Sequence, residues 1–469
     1  MSFSHRRLAA LCAAATLSGA GLMPLSAQAT TLSNADTSSL ADTSSTAGIR
    51  QELSSYAHLP TTTSVGSSDP NDPFYLPPET IPTAPGSVIR TQSISTDLGL
   101  GSSHLANSVT KMLYTSTDVN GRAMAVSGFV VEPANPWQGE GPTPTVVIAP
   151  GTFGAGDTCA TSKMPALLGI FTIDEGNPNF VPNYLMPFQL AMLDAGMRVV
   201  VTDYAGLGTP GAHTYAMHTE EGRAVLDAAR AGLSMAGQPA DSPVAFWGFS
   251  QGGGASAAAA EMVADYAPEL NVKGTFAAAP PSDLLQVIDV VDGSALSGVS
   301  MYSILGFSDR FPRFKEKIDS YLNDLGKAYL AREAENCSLD TMAVSGFIRS
   351  EELTTTGESL AEIAARDKEL AAFFEQESLG KSAAHGPVLL ATIASDDIIP
   401  AEQVYAYGRQ LCSLGSEVEM AEAPLPSLTS SVPMGADHLV GGNIQSVYSI
   451  TWLRDRFNGV PVTNTCGQF

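Results

Sequence analysis

The chain predicts an α/β fold, a mostly parallel sheet with helices on both faces and a helical region inserted into it. Three observations point there. Short apolar runs alternate with helical patterns along most of the chain, the pattern expected when parallel strands are joined by crossover helices. One such run, Val244 to Trp247, meets Gly248-Phe-Ser-Gln-Gly252 and then the small-residue run Gly253 to Ala260, as a buried strand turning sharply into a tightly packed helix would. Between Ala279 and His385 the strand signals stop and helical patterns take over.

In chain order, residues 1–29 read as a signal peptide. His5-Arg6-Arg7 supplies a positive start, Leu8 to Met23 is apolar or small, and Ala27-Gln28-Ala29 resembles a cleavage site. That apolar stretch is short and interrupted, and no other run is long enough to span a bilayer, so no transmembrane anchor is expected. Residues 30–71 are rich in Ser, Thr and Ala and predict a flexible leader. Residues 72–469 suffice for one large α/β domain. Strands are expected near 126–132, 144–149, 197–203, 243–248, 272–278, 387–394 and 417–422. Helical patterns fall between them, as from Glu220 to Leu233 and from Ala401 to Cys412. The stretch at about 280–385 predicts a helical cap inserted between two halves of the sheet. No internal repeat is visible.

Gly248-Phe-Ser-Gln-Gly252 has the form of a nucleophile elbow. In such a turn the serine is strained and its hydroxyl points out of the sheet, and glycines are needed where a Cβ would collide with neighbouring elements. No second Gly-x-Ser-x-Gly occurs in the chain. A Gly/Ser turn in an unrelated fold is the bland alternative, and the buried-strand and alanine-rich flanks count against it. In the α/β-hydrolase fold the partners follow in the order serine, acid, histidine. Only His385 and His438 follow Ser250. His385 precedes a predicted strand, whereas the acid should follow that strand, so His438 remains. The acid lies in Ala394-Ser-Asp-Asp-Ile-Ile-Pro400. A carboxylate at the carboxyl end of a parallel strand can orient a histidine over the sheet. Neighbouring side chains in extended backbone point opposite ways, so Asp396 and Asp397 compete. The Asp-x-x-x-Pro register common in these hydrolases favours Asp396. Asp437 is out of order and reads as a solvated loop carboxylate. Asp203 and His213 do not fit the order either and read as structural.

An oxyanion needs two preorganised N–H donors. One is expected from Gln251. The other is expected from the loop after the strand at 144–149, Pro150-Gly-Thr-Phe-Gly-Ala-Gly-Asp157, where Thr152 is the candidate.

Several further motifs carry a family resemblance. Asp72-Pro-Phe-Tyr-Leu-Pro-Pro78, Pro85-Gly-Ser-Val-Ile-Arg90, Tyr114 to Gly121, Val126 to Pro133, Asp203-Tyr-Ala-Gly-Leu-Gly208, the elbow itself and Trp452-Leu-Arg-Asp-Arg-Phe457 with Cys466 occur in order. Together they resemble the secretory lipases of the fungal lipase A type and their actinobacterial relatives, within the α/β-hydrolase superfamily. The resemblance runs from about residue 72 to the end. It implies hydrolysis of acylglycerol esters under a helical cap, though relatives also include esterases for short or water-soluble esters. Relatives often carry histidine before the Gly-Thr of the oxyanion loop, where this chain has Pro150. In the cap, the apolar run Met301-Tyr-Ser-Ile-Leu-Gly-Phe307 reads either as a face for an acyl chain or as the inside of a cap helix.

Once Cys12 leaves with the signal, Cys159, Cys337, Cys412 and Cys466 remain. An even number in an exported chain implies two disulfides, and three pairings are open. The resemblance favours Cys159–Cys337 and Cys412–Cys466. No close cysteine pair or histidine cluster suggests a metal, and the chemistry calls for no cofactor. The formal net charge of −24 argues against nucleic acid and against docking on anionic membranes. The expected protein is therefore a secreted serine hydrolase, found outside the cell or in its envelope, acting on a lipid or small ester. A triacylglycerol lipase leads, and a short-chain carboxylesterase or an acyltransferase using the same triad is the alternative. A peptidase would need an anchor for a peptide terminus, and no acidic pair can be assigned to one. A non-catalytic binding protein would not need the serine, acid and histidine.

Overall fold

The computed structural model describes residues 72–94, 105–165, 169–174, 177–428 and 433–469. The expected signal peptide (1–29) and leader (30–71) lie outside the described residues. The first strands, Val88–Ile94 (β1), Ala106–Thr117 (β2) and Ala123–Pro133 (β3), form an antiparallel edge. Thr145–Ala149 (β4) follows, and then a separate hairpin of Gly169–Asp174 (β5) and Asn177–Pro182 (β6) that the alternation of patterns does not foretell. Helix Met186–Asp194 (α1) leads to Arg198–Thr202 (β7), and helix His218–Met235 (α2) to Pro243–Phe249 (β8). Helix Gln251–Tyr266 (α3) and strand Asn271–Ala278 (β9) complete the first half.

Helices Leu284–Val291 (α4), Val299–Arg310 (α5), Pro312–Tyr321 (α6), Asp324–Glu333 (α7), Leu360–Arg366 (α8) and Lys368–Gln376 (α9) fill the stretch read as an insertion. The sheet resumes with Val388–Thr392 (β10), helix Ala401–Ser413 (α10) and Val418–Glu422 (β11), and the chain closes on helix Ala436–Phe457 (α11). The strand order is β1-β2-β3-β7-β4-β8-β9-β10-β11. From β7 to β11 every neighbour is parallel.

The central strands are apolar on both faces because helices cover both. All five residues of β4 are buried. Successive side chains alternate, so Val146 and Ile148 enter the core shared with α1 and α11, and Val147 and Ala149 enter the core shared with α2 and α3. Trp247 and Phe246 divide in the same way. The insertion is built around a further core of Met301, Ile304, Phe307, Phe314 and Phe374, which Ala216 and Met217 of the body also enter. The apolar run of α5 is therefore split. Met301, Ile304 and Phe307 pack inside the insertion, while Tyr302 and Leu305 pack against the body of the domain. The run as a whole does not form one exposed acyl face, because a helix turns successive residues by about 100°.

Two disulfides tie distant parts together with the pairing that the resemblance favours. Cys159–Cys337 joins the loop after β4 to the insertion, and Cys412–Cys466 joins the terminal segment to α10. Beside the first, Ala155 N–H donates to Asn336 O at 3.0 Å and Ser338 N–H to Phe153 O at 2.8 Å. The bridges close sequence separations of 178 and 54 residues. Constraining the unfolded chain over such loops typically stabilises by about 2–4 kcal/mol each. Replacing both Cys412 and Cys466 by serine should lower the unfolding free energy by roughly that amount. Urea titration of this variant beside the parent checks it, and unchanged stability would contradict it.

Candidate active site

Ser250 stands between the end of β8 and the first residue of α3, with φ 60° and ψ −125°. Side chains seldom occupy this region, and the strain is tolerated only where the surroundings enforce it. They do so here. A Cβ on Gly248 would lie 1.9 Å from Gly252 O, and one on Gly252 would lie 2.0 Å from Ala149 O. The turn is closed by Ser250 N–H donating to Ala278 O at 2.9 Å and Gly254 N–H donating to Ser250 O at 3.1 Å.

His438 sits in the first turn of α11. Its Nε2 is 2.8 Å from Ser250 Oγ, and its Nδ1 is 3.0 and 2.9 Å from the two carboxylate oxygens of Asp396. The His438 and Asp396 side chains are 3% and 2% exposed. The Phe249 ring lies 4.6 Å from the imidazole, centre to centre. Asp396 is itself held by the N–H groups of Ile398 and Ile399, at 3.0 and 2.8 Å.

Asp397 points elsewhere and does a different job. Its carboxylate accepts from the N–H groups of Met434, Gly435 and His438 at 3.1, 2.9 and 3.0 Å. It thereby holds the start of α11, where an anion also complements the helix dipole. One aspartate meets the imidazole and its neighbour fixes the backbone that carries the imidazole. Asp437 is not the solvated carboxylate expected. It is 2% exposed and accepts from Ser427 Oγ at 2.7 Å and from Leu428 N–H. Its place on the first turn of α11 turns it onto the segment after β11. The excluded His385 is exposed just before β10. Asp203 is fully buried, accepting from Ser127 Oγ, Thr161 Oγ1 and Ser162 N–H.

The loop Pro150–Phe153 runs alongside the elbow. The Cβ position of Gly151 is 3.8 Å from Ser250 Cβ. Three tyrosines hold this loop, of which Tyr184 and Tyr215 carry no signal in the sequence. Tyr204 Oη donates to Pro150 O at 2.7 Å, Tyr215 Oη lies 2.8 Å from Thr152 Oγ1, and the Tyr184 ring stacks on Phe153 at 4.6 Å. Burial raises all three phenols, so they stay protonated.

The Gln251 side chain turns inward, donating to Glu221 Oε1 at 2.7 Å and lying 3.0 Å from His213 Nε2. Glu221 also accepts from Ala216 N–H at 3.0 Å. Burial pushes the Glu221 carboxyl up to about 8 and the His213 imidazole down to about 4. Glu221 escaped the sequence reading because a glutamate in the first turn of a helix ordinarily faces solvent.

A strand–turn–helix serine at the carboxyl edge of a mostly parallel sheet, met by a histidine from the closing helix and an aspartate that follows a later strand, is the arrangement of an α/β-hydrolase. Within that class the chain belongs to the secretory lipase family, whose model matches residues 183–465. It is 27% identical over 414 residues to a Mycobacterium tuberculosis protein named a probable inactive lipase, covering 84% of this chain and 83% of the relative. It is 25% identical over 404 residues to a secreted triacylglycerol lipase of Malassezia furfur, covering 84% of this chain and 77% of the relative. Among solved structures, lipase A of Candida antarctica in its closed state superposes with a TM-score of 0.70 at 24% identity. The match covers 85% of this chain and 88% of that one, and shares the fold.

The Glu221 environment has a consequence for stability. An unfolded glutamate ionises near pH 4.3, whereas the folded one holds its proton to about 8. Between those values the unfolded chain binds fewer protons, so this group lowers stability as pH rises. Replacing it by glutamine removes that contribution. The melting temperature of Glu221→Gln minus that of the parent should therefore increase from pH 5 to pH 8. Calorimetry across that range checks it, and a difference that falls with pH would contradict the burial argument.

Proposed function

We propose that the chain is a secreted serine ester hydrolase acting as a triacylglycerol lipase, and that Ser250, His438 and Asp396 form its catalytic triad. The observation that carries this reading is the contact of His438 Nε2 with Ser250 Oγ at 2.8 Å while Nδ1 faces Asp396. One relative is named a probable inactive lipase, so family membership alone does not argue for activity; the geometry of these three side chains does.

In this mechanism His438 Nε2 takes the Ser250 proton as Oγ attacks the ester carbonyl. Asp396 accepts from Nδ1–H, which fixes the tautomer and stabilises the imidazolium. The backbone N–H groups of Thr152 and Gln251 hold the oxyanion. His438 then protonates the departing glycerol oxygen, leaving the acyl group on Ser250. A water molecule gives its proton to His438 and attacks the acyl carbonyl, and His438 returns that proton to Ser250 Oγ as the bond to the fatty acid breaks. The residues account for these steps without a cofactor.

Export rests on the signal-peptide reading of residues 1–29. Two disulfides agree with an oxidising compartment. Among the described residues no helix is long and apolar enough to cross a membrane. The insertion at about 280–385 serves as the cap over the acyl site, supported by its packing on the body through Tyr302 and Leu305.

Ser250→Ala should lower kcat by about a million-fold with the fold retained. Asp396→Asn should cost about 10⁴-fold, and Asp397→Asn much less, because the latter alters only the anchoring of α11. Steady-state rates on p-nitrophenyl esters read all three. Wild-type turnover by Ser250→Ala would end the serine mechanism, and a larger loss at Asp397 would reassign the acid.

A cap that encloses an acyl chain contributes on the order of 0.8 kcal/mol per buried CH₂. Medium and long esters should then have higher kcat/KM than acetate. Leu305→Asp should reduce activity on palmitate more than on acetate, whereas a charge at Ile304, inside the insertion's core, should chiefly destabilise the fold. Acetate as the best wild-type substrate would favour the short-chain esterase. Equal losses on all esters would remove Leu305 from the acyl path.

A further inference from the structure

Substrate-side chemistry does not explain why residue 251 should be glutamine. Its backbone N–H is the proposed oxyanion donor, yet its side chain points away from the serine and is buried with it, the whole residue being 3% exposed. Both hydrogens of the side-chain amide are engaged. One goes to Glu221 Oε1 at 2.7 Å and the other faces His213 Nε2 at 3.0 Å. For Nε2 to accept, the imidazole proton must sit on Nδ1, which lies 3.3 Å from Ala205 O and donates to it. Glu221 in turn accepts from Ala216 N–H. The partners of Gln251 are thus fastened to the two ends of one loop, Ala205 to Ala216.

The same loop reaches the other side of the elbow. Tyr204, just before it, donates to Pro150 O, and Tyr215 meets Thr152 Oγ1. The His213 ring lies 5.9 Å from the rings of both tyrosines, stacked on the first and edge-on to the second. Both segments proposed to bind the oxyanion are therefore gripped by a single piece of chain.

We infer that Glu221 and His213 are positioning residues, which act through the Gln251 side chain to hold the Gln251 N–H at a set distance from the Thr152 loop. The inference rests on the reading of Gln251 and Thr152 as oxyanion donors. An oxyanion donor works only within a few tenths of an ångström of its place, so the peptide plane must not rock. A side chain held at both amide hydrogens opposes such rocking. Burial keeps Glu221 and His213 uncharged at neutral pH. The clamp therefore adds no negative charge beneath the developing oxyanion.

Gln251→Leu keeps the backbone N–H and removes the clamp, Glu221→Leu removes the clamp from the other side, and Glu221→Gln preserves the accepting oxygen. Active sites are counted by fluorophosphonate labelling of Ser250, folding is followed by calorimetry, and kcat and KM are measured on a p-nitrophenyl ester. Each leucine variant should lose about 10- to 100-fold in kcat per labelled site with KM within about twofold, which is part of the loss seen when an oxyanion donor is removed outright. Glu221→Gln should retain most of the rate. The Gln251→Leu/Glu221→Leu double variant should be no slower than the worse single, since both act through one contact. If Glu221→Leu does not fold, Gln251→Leu alone decides, with the same kcat loss expected. Wild-type kcat in that variant, or losses that multiply in the double, would overturn the clamp and leave the triad standing. A parent protein that neither labels at Ser250 nor turns over ester would overturn the triad and the clamp together.

Discussion

Everything in the site is hung on one backbone turn. At Ser250 the chain leaves the central strand β8 for helix α3 in a conformation that costs roughly 1–3 kcal/mol for a residue with a side chain. Two contacts enforce it: Gly248 against the carbonyl of Gly252, and Gly252 against the carbonyl of Ala149. Strand β4 must lie beside β8 for the second contact to exist, and the five-residue parallel register between them supplies it. The apolar core on both faces of the sheet is thus what keeps the serine hydroxyl raised.

His438 comes from the far end of the chain, and two adjacent carboxylates set its place. Asp396 meets the imidazole, while Asp397 ties down three N–H groups at the start of α11. A free helix N-terminus carries unpartnered donors and a partial positive charge, so an acceptor there fixes both its position and its direction. The histidine is aimed by one aspartate and located by the other. On the opposite side, the disulfide from Cys159 to Cys337 binds the loop after β4 to the insertion. That loop carries Thr152 near its start, so the proposed oxyanion donor and the proposed cap share one anchor.

Much of this was legible in the residues. The central parallel strands were readable because burial on both faces demands continuous apolar runs, as in Thr145–Ala149 and Val388–Thr392. That the side chains of Ser250, His438 and Asp396 meet was legible in the elbow motif, the chain order and the register to Pro400. The hairpin β5–β6 was not readable, because its pairing is between its own two strands and leaves no pattern in the rest of the chain. The burial of Asp437 is not legible in the sequence, because solvation is decided by what a helix turn packs against, and here that is the segment at Ser427 and Leu428.

The sequence by itself determined the class of fold, the Gly-Phe-Ser-Gln-Gly turn on which Ser250 stands and, through the family it resembles, the pairing of its cysteines. The fold class and the turn depend on local stereochemistry and on the period of apolar residues, both of which are written along the chain, whereas the pairing came from the resemblance alone. The tertiary structure alone decided that Gln251 is held by His213 and Glu221, that Asp397 secures α11, and that the apolar run of α5 is divided between two cores. Those are contacts between residues far apart in sequence. A buried glutamate and an exposed one are the same letter, and only the packing around Glu221 makes it a neutral acceptor.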